Sequence, residues 1–304
     1  RFDCFRIAKD RQRLSAKIVA LCNGDDRGSE YFWELISKTL IYSANRIPEI
    51  SDDIVNIDNA MKWGFAWDIG PFETWDIIGV KRSSNRMISE GKKVPEWVLD
   101  MLEHGRESFY LIEKGIKTYW CPKEKNAVEI KESPKIFNLA LHKTAGHTLK
   151  RDLSASVNDM GDGILNVEFH SILQPRLNPI DGSYVEMINH ALDLIEEEKY
   201  RALVIGHEGP NFSAGANLNL FLELSEDQQW ETLNFAVRTF QAMTQRIRFS
   251  KGPVVAAPFQ LTLGGGTEII QPAAHRVASA ETYMGFVELG VGLIPGGGGT
   301  LRMI

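Results

Sequence analysis

"LTLGGGTEII" occupies residues 261–270 and places three consecutive glycines between a short apolar run and a glutamate. Glycine loses more backbone entropy on folding than other residues and adds no side chain to a core. A run of three is therefore expected where a ligand or another segment approaches the main chain closely. The alternative is a tight strand-to-helix turn in which Glu268 stabilises the helix N-terminus.

The sequence around this stretch alternates between strand and helix signals. "GILNVEFHS" (163–171), "RALVIG" (201–206) and "GPVVAAPF" (252–259) are typical of strands, whereas "YVEMINHALDLIEEEK" (184–199) and "WETLNFAVRTFQAMTQRIRF" (230–249) are typical of amphipathic helices. Strands that alternate with helices of this length favour crossover connections and a mostly parallel sheet. We therefore expect an α/β domain over residues 153–304.

The first half of the chain has a different character. Residues 1–121 show helical periodicity, as in "YFWELISKTLIYSANRI" (31–47), and little strand alternation. In "GPFETWDIIG" (70–79), Pro71 lies near the expected start of a helix and Gly79 lies just past its expected end. Proline near the start and glycine after the end is the usual distribution of these residues in helices. Residues 122–152 are rich in Lys and Pro and have weak periodicity, as in a linker. We predict an all-α domain, a linker and the α/β domain, in that order.

Composition narrows the class of protein. The chain has 304 residues, a net charge of −6, 24% charged and 43% hydrophobic residues, which is ordinary for a globular protein and does not indicate a nucleic-acid binder. The three cysteines contain no CxxC pair, so neither a disulfide framework nor a metal site is predicted. No apolar run is long enough for a membrane span and no secretory segment is recognisable. We expect a cytoplasmic protein.

Four segments of the second half could carry chemistry: "FSAGANL" (212–218), "GGGTE" (264–268), Glu288, and "GLIPGGGGT" (292–300). Two glycine-rich turns that follow neighbouring parallel strands can direct two main-chain amides at one oxygen. Such a pair polarises a carbonyl and stabilises the anion that forms from it. Each segment also has a structural alternative, because "FSAGANL" can be a helix-leading turn and Glu288 an exposed rim residue.

Two nucleotide-binding interpretations of these glycines fail. No lysine follows residues 296–299 as a phosphate-binding P-loop requires, and "GVGLIPG" (290–296) lacks a following acidic residue for a ribose. No glycine fingerprint follows a strand in residues 1–150 either, so we expect no NAD site in this chain.

The order and spacing of "FSAGANL", "GGGTE" and "FVELGVGLIPGGGGT" (286–300) resemble the crotonase (enoyl-CoA hydratase/isomerase) superfamily over residues 153–304. The resemblance implies a ββα superhelix and an oxyanion hole formed by the amides of Ala216 and Gly265. It also implies two catalytic glutamates, Glu268 and Glu288, since hydratases of the family carry both. The substrate-binding positions that it implies are Ala214, Asn217, Leu218, Gly264, Pro295 and Gly296.

Residues 40–79 resemble the C-terminal helical domain of 3-hydroxyacyl-CoA dehydrogenases, most specifically in "GPFETWDIIG", and the similarity extends over about residues 24–120. This order of domains resembles bacterial fused proteins of fatty-acid β-oxidation. The chain begins with Arg1 and stops in "GGGGTLRMI", so we expect a central fragment whose crotonase part is incomplete at its C-terminus. The NAD-binding domain of the dehydrogenase is missing from it.

The resemblance implies an enzyme that hydrates trans-2-enoyl-CoA to 3-hydroxyacyl-CoA, a lyase, within a multifunctional protein that also has dehydrogenase activity and forms homo-oligomers. Coenzyme A enters as part of the substrate, and NAD belongs to the missing domain. Two alternatives stay open: a double-bond isomerase or thioester hydrolase of the same superfamily, and a non-catalytic module that binds acyl-CoA or docks a partner.

Overall fold

The computed structural model describes residues 2–11, 13–131, 133 and 136–303, and the chain divides into two units, Arg1–Phe137 and Asn138–Ile304. The boundary falls inside the predicted linker, of which residues 132, 134 and 135 lie outside the described residues. Within the described ranges, no helix is both long and apolar enough to cross a membrane, and no group of three His, Cys, Asp or Glu side chains could hold a metal.

The first unit begins with a run of helices and ends in an antiparallel sheet of three strands in the order β1-β2-β3. Its helices are α1 Asp3–Asp10, α2 Leu14–Cys22, α3 Arg27–Asn45, α4 Ile54–Phe65, α5 Pro71–Ile78, α6 Val80–Ser89 and α7 Glu96–Glu103. Its strands are β1 Tyr110–Glu113, β2 Ile116–Cys121 and β3 Asn126–Glu129. As predicted, α5 starts with Pro71 and ends at Gly79, which has a positive φ of 91°.

The sheet corrects the prediction that residues 1–121 are all-helical. β1 and β2 form a hairpin whose turn residues, Lys114 and Gly115, both have positive φ (49° and 82°). This is the backbone of a tight two-residue turn, and it overrides the weak helical period of the surrounding residues. β3, which lies in the predicted linker, pairs with β2, and main-chain pairing of this kind requires no regular side-chain pattern.

The second unit contains a mixed sheet of six strands in the order β10-β8-β7-β6-β5-β4 and a separate parallel pair, β11-β9. Its strands are β4 Thr148–Arg151, β5 Ala155–Asp159, β6 Ile164–Phe169, β7 Ala202–Ile205, β8 Val254–Ala256, β9 Leu261–Leu263, β10 His275–Arg276 and β11 Tyr283–Gly285. Its helices are α8 Leu139–Thr144, α9 Gly182–Glu196, α10 Leu218–Glu226, α11 Trp230–Arg248 and α12 Gly265–Ile270, with 3₁₀ turns at Glu288–Val291 and Leu301–Met303.

This sheet follows the predicted α/β pattern where the strands are buried. β6, β7, β8 and β10 are parallel, joined by crossovers through α9 and α11, whereas β4, β5 and β6 are antiparallel. The core between sheet and helices is apolar, with Val157, Val167, Ile205, Met187 and Met243 among its fully buried side chains. The predicted linker includes the residues of α8 and β4, but both elements belong to this unit.

The buried carboxylate of Asp58 connects α4 with α5 and β1 in the first unit. The N-cap residue of α5 is Gly70, which has no side chain to accept a hydrogen bond from the first helical amides. Asp58 of α4 accepts them instead, from the amides of Phe72 (2.8 Å) and Glu73 (3.2 Å), and also from the hydroxyl of Tyr110 (2.8 Å). Its burial raises the pKa of Asp58 to about 6, against the effect of these hydrogen bonds.

We predict that Asp58→Ala lowers the free energy of unfolding by about 3 kcal/mol or more, because three donors, one buried and two partly buried, lose their acceptor. A buried donor left without a partner costs about 1–3 kcal/mol. The measurement is urea unfolding followed by tryptophan fluorescence, with the exposed Asp52→Ala as the matched control. Equal stability of the two variants would contradict this role for Asp58.

Candidate active site

The three glycines form the turn between β9 and α12. Gly264, the N-cap residue of α12, has φ 51° and ψ −122°, a conformation that essentially only glycine adopts. A Cβ atom at this position would also lie 3.1 Å from Oε1 of Glu288. The turn is fixed by the amide of Gly264, which donates to the carbonyl of Gly285 in β11 (2.8 Å). Both explanations for the glycines are therefore correct: they make a strand-to-helix turn, and another functional group approaches it.

The segment 212–216 runs beside β9 and brings the two predicted amides together. Ser213 donates through its amide to the carbonyl of Leu261 (3.0 Å), and Leu263 donates in turn to Ser213 (2.8 Å). A Cβ atom on Gly265 would lie 3.8 Å from the amide nitrogen of Ala216. Among the described residues, neither the Ala216 nor the Gly265 N–H has a backbone acceptor. Two adjacent free amides can bind one oxyanion.

Glu268 is almost completely buried on α12, with 3% of its surface exposed. Its Oε1 accepts hydrogen bonds from the amides of Gly297 (2.7 Å) and Gly299 (2.9 Å). Burial raises the pKa of this carboxyl above its ordinary value, the two amides lower it, and the charge of Glu288 raises it again. The Glu268 carboxyl therefore has a pKa above that of an exposed glutamate, as is common for carboxyls at functional sites.

We call residues 297–299 the glycine strap, because this segment crosses directly over the Glu268 side chain. A Cβ atom on Gly297 would lie 2.3 Å from Cε1 of Phe240 and 2.7 Å from Oε2 of Glu268. One on Gly299 would lie 2.4 Å from the ring of Phe286. Only glycine permits so close an approach, so Gly297 and Gly299 are required where the strap contacts the carboxylate and the two rings.

Glu288 begins the 3₁₀ turn that follows β11 rather than lying on a strand. Its side chain is half-buried, and in the part of the chain that the structure describes its Oε2 atom is buried without a hydrogen-bond partner. Its Oε1 faces the glycine turn at Gly264. An unpartnered buried carboxylate oxygen costs free energy unless water or a ligand satisfies it. The two glutamates thus border the same turn, each with a distinct environment.

The predicted substrate-binding residues lie on both sides of this turn. The main-chain amide of Ala214 already has an acceptor, because it donates to the carbonyl of Leu177 (2.7 Å). Asn217 is the N-cap residue of α10, and Leu218 begins that helix with 44% of its surface exposed. Pro295 and Gly296 precede the strap, and the Gly296 carbonyl accepts from the Gln241 side chain (2.7 Å).

Sequence reasoning placed Gly297 and Gly299 in a candidate segment (292–300) without giving them a contact. It did not identify Thr244 and Arg302, the side chains that hold the strap. The sequence signal is present as "GGGGTLR" (296–302), in which an arginine follows the glycines. From sequence alone this run contributes to the family resemblance and suggests a phosphate loop, which the absence of a lysine excludes; neither indicates a contact with Glu268.

The chain is similar to several known proteins. Residues 173–303 match the family model of enoyl-CoA hydratase/isomerase. A probable 3-hydroxyacyl-CoA dehydrogenase of Bacillus subtilis (strain 168) is 44% identical over 296 residues, 97% of this chain and 37% of the relative. A putative fatty acid oxidation complex trifunctional enzyme of Rickettsia felis is 28% identical over 276 residues, 90% of this chain and 34% of the relative.

The solved enoyl-CoA hydratase of Bacillus anthracis is 26% identical, with a TM-score of 0.44, and the match covers 49% of this chain and 57% of that one. Because residues 173–303 match the family model, the second unit carries a crotonase-type domain, and a region that is mainly helical precedes it. The chain spans little more than a third of the length of the two curated relatives described above.

We predict that Gly264→Ala lowers the free energy of unfolding by about 1–3 kcal/mol, because alanine is strained at this φ and ψ. The added methyl group also displaces the Glu288 carboxylate. Thermal unfolding measures the change, and the control is Gly290→Ala, where no atom lies within 4 Å of the new methyl group. A Gly264→Ala protein as stable as the control would refute the constraint.

Proposed function

We propose that this chain is a segment of a multifunctional fatty-acid β-oxidation enzyme, and that its second unit adds water to trans-2-enoyl-CoA. The observation that carries the proposal is the placement of two free amides and two carboxylates around one glycine turn. The names of the relatives, a dehydrogenase and a trifunctional fatty acid oxidation enzyme, support the same assignment.

In the proposed reaction the thioester oxygen of the substrate accepts hydrogen bonds from the amides of Ala216 and Gly265. Both bonds strengthen as the oxygen gains enolate charge, and one such donor typically lowers the barrier by about 3–4 kcal/mol. A side chain at Gly265 would bring a Cβ atom to 2.9 Å from Cδ1 of Ile180, so that Ile180 would have to move.

Glu268 and Glu288 hold the water and move its protons. One carboxylate takes a proton from water while the oxygen bonds to C3 and the C2–C3 π electrons move towards the thioester oxygen. The other, as a carboxylic acid, then delivers a proton to C2, so that one water has been added across the double bond. The Oε2 of Glu288 is buried without a hydrogen-bond partner among the described residues, and a donor such as that water would satisfy it. Which glutamate acts first stays open in this proposal.

The first unit is proposed to be a dehydrogenase C-terminal-type domain. Support comes from its "GPFETWDIIG" motif and from the dehydrogenase-named relative, which matches 97% of the chain. A dehydrogenase of this class oxidises 3-hydroxyacyl-CoA, which is the product of the proposed hydration, and NAD would be bound by a domain outside residues 1–304. Homo-oligomerisation is part of the same proposal.

We predict that Glu288→Gln and Glu268→Gln each reduce the rate of crotonyl-CoA hydration by about 10²–10⁴-fold, the usual contribution of one proton-transfer group. Binding of the acyl-CoA should hardly change, because the amide pair is untouched. In Glu268→Gln the amide oxygen of the new side chain can still accept from both strap amides, since both bonds end on one oxygen. The assay follows loss of the enoyl absorbance, with the protein expressed from its complete reading frame.

The matched control is the exposed Glu281→Gln on the same segment, which should hydrate at the parental rate. Parental turnover in both site variants would end the two-glutamate mechanism. A parent that isomerises 3-enoyl-CoA or hydrolyses thioesters without hydrating would favour those reactions, and binding without any turnover would favour the acyl-CoA-binding module.

A further inference from the structure

The glycine strap has no side chains of its own with which to hold its position over Glu268. Its middle residue, Gly298, has φ 97°, so the backbone path is one that side chains disfavour. Besides the two amides that donate to Glu268, the contacts that keep this path are made by its carbonyl groups. Side chains from α11 and from the residues after the strap supply them.

Two of these contacts converge on the carbonyl of Gly297. Nη1 of Arg302 donates to it at 3.0 Å, and the Thr244 hydroxyl of α11 also lies 3.0 Å from it. Nη2 of Arg302 donates to the same Thr244 hydroxyl at 3.0 Å, which closes a ring of three groups. Thr244 is fully buried, so this ring links the strap to the core. Gln241 holds the preceding carbonyl, that of Gly296.

Arg302 is also the cation whose charge affects the buried Glu268 carboxyl. Its charge lowers the pKa of Glu268, opposing the effects of burial and of Glu288. The guanidinium is itself partly desolvated, and burial lowers its own pKa, with Glu268 acting in the opposite direction. The charged groups around Glu268 are thus Glu288 on one side and Arg302 on the other, with the strap amides in direct contact.

We propose that Arg302 is a positioning residue for Glu268: it fixes the strap through the Gly297 carbonyl and the Thr244 hydroxyl, and so determines where the Glu268 carboxyl points. It does not touch substrate in this proposal. The inference deepens the proposed hydration, on which its kinetic part rests, but the effect on Glu268 can be measured without any turnover.

Replacing Arg302 separates its charge from its geometry. Arg302→Gln removes the charge that lowers the pKa of Glu268, so this pKa should rise. Arg302→Lys keeps the charge but cannot contact two acceptors with a planar fork, so the pKa should stay near the parental value. In both variants kcat should fall by about 10–100-fold with little change in KM, because the carboxyl is misplaced.

Two measurements test this. The first is an NMR titration of ¹³C-labelled glutamate carboxyls in the full-length protein, with the Glu268 signal assigned by its loss in Glu268→Gln. The second is the pH profile of hydration. Whether Glu268 acts as base or acid, the limb that reports it should move to higher pH in Arg302→Gln and stay in place in Arg302→Lys.

Arg248→Gln is the matched control, because it removes a nearby exposed arginine charge that, among the described residues, makes no hydrogen bond to the strap or to Glu268. It should leave both the titration and kcat at parental values. Thr244→Val, which removes only the hydroxyl, should lower kcat with a smaller shift of the pKa, and it tests the ring should Arg302→Gln fail to fold.

The outcomes are distinguishable from a failure of the proposed function. A parent that does not hydrate enoyl-CoA would end the hydratase assignment, while the titration would still decide whether Arg302 acts on Glu268. A Glu268 signal that titrates identically in parent and Arg302→Gln, together with parental kcat, would overturn the positioning role. Equal effects of Arg248→Gln and Arg302→Gln on the Glu268 titration and on kcat would also overturn the positioning role.

Discussion

The hydrogen bonds from two strap amides to one oxygen of Glu268 are the contact around which the candidate site is arranged. A carboxyl group that is only 3% exposed would be strongly disfavoured in its charged form without donors of this kind. The requirement for them explains Gly297 and Gly299, against which Phe240 and Phe286 pack. The helix α12 that carries Glu268 is buried throughout, and its Ile269 and Ile270 belong to the apolar core.

A second constraint acts at the other end of α12. Gly264 must reverse the chain after β9 so that the amide of Gly265 becomes the first of the helix, where it has no partner within the helix. Helix N-termini attract negative charge for this reason. The turn therefore leaves the Gly265 amide without a helical partner and, through the same geometry, sets Glu268 one turn further on. In the proposed reaction this amide and that of Ala216, from the adjacent segment, bind the developing oxyanion.

Much of this site could be predicted from sequence because glycine and glutamate leave clear local signals. The turn at 264–266, the paired segment at 212–218 and the two glutamates could all be placed by residue type and order. The strap could not, because its partner is 29 residues away in sequence and the contact is made by main-chain amides. Arg302 and Thr244 are 58 residues apart, and their contact is visible only in the folded chain.

The fold, like the site, was predictable from sequence only in part. Amphipathic helices and buried parallel strands were predictable from hydrophobic period, whereas β1, β2 and β3 were not. Their pairing depends on a two-residue turn at Lys114 and Gly115 and on main-chain register, such as Trp120 opposite Ala127. Short elements such as α8 and β4 also lacked a period long enough to detect. Asp58 capping α5 from another helix is likewise a contact between segments distant in sequence.

The most direct test of the account is the vibrational frequency of a bound thioester carbonyl. Crotonyl-CoA with ¹³C at the carbonyl, bound to the Glu288→Gln protein so that turnover is slow, gives this frequency by isotope-edited infrared difference spectroscopy. Amides of Ala216 and Gly265 that polarise the carbonyl should lower its stretching frequency below the value in water, and excess coenzyme A should abolish the shifted band. A bound carbonyl that absorbs at the same frequency as in water would contradict the oxyanion site.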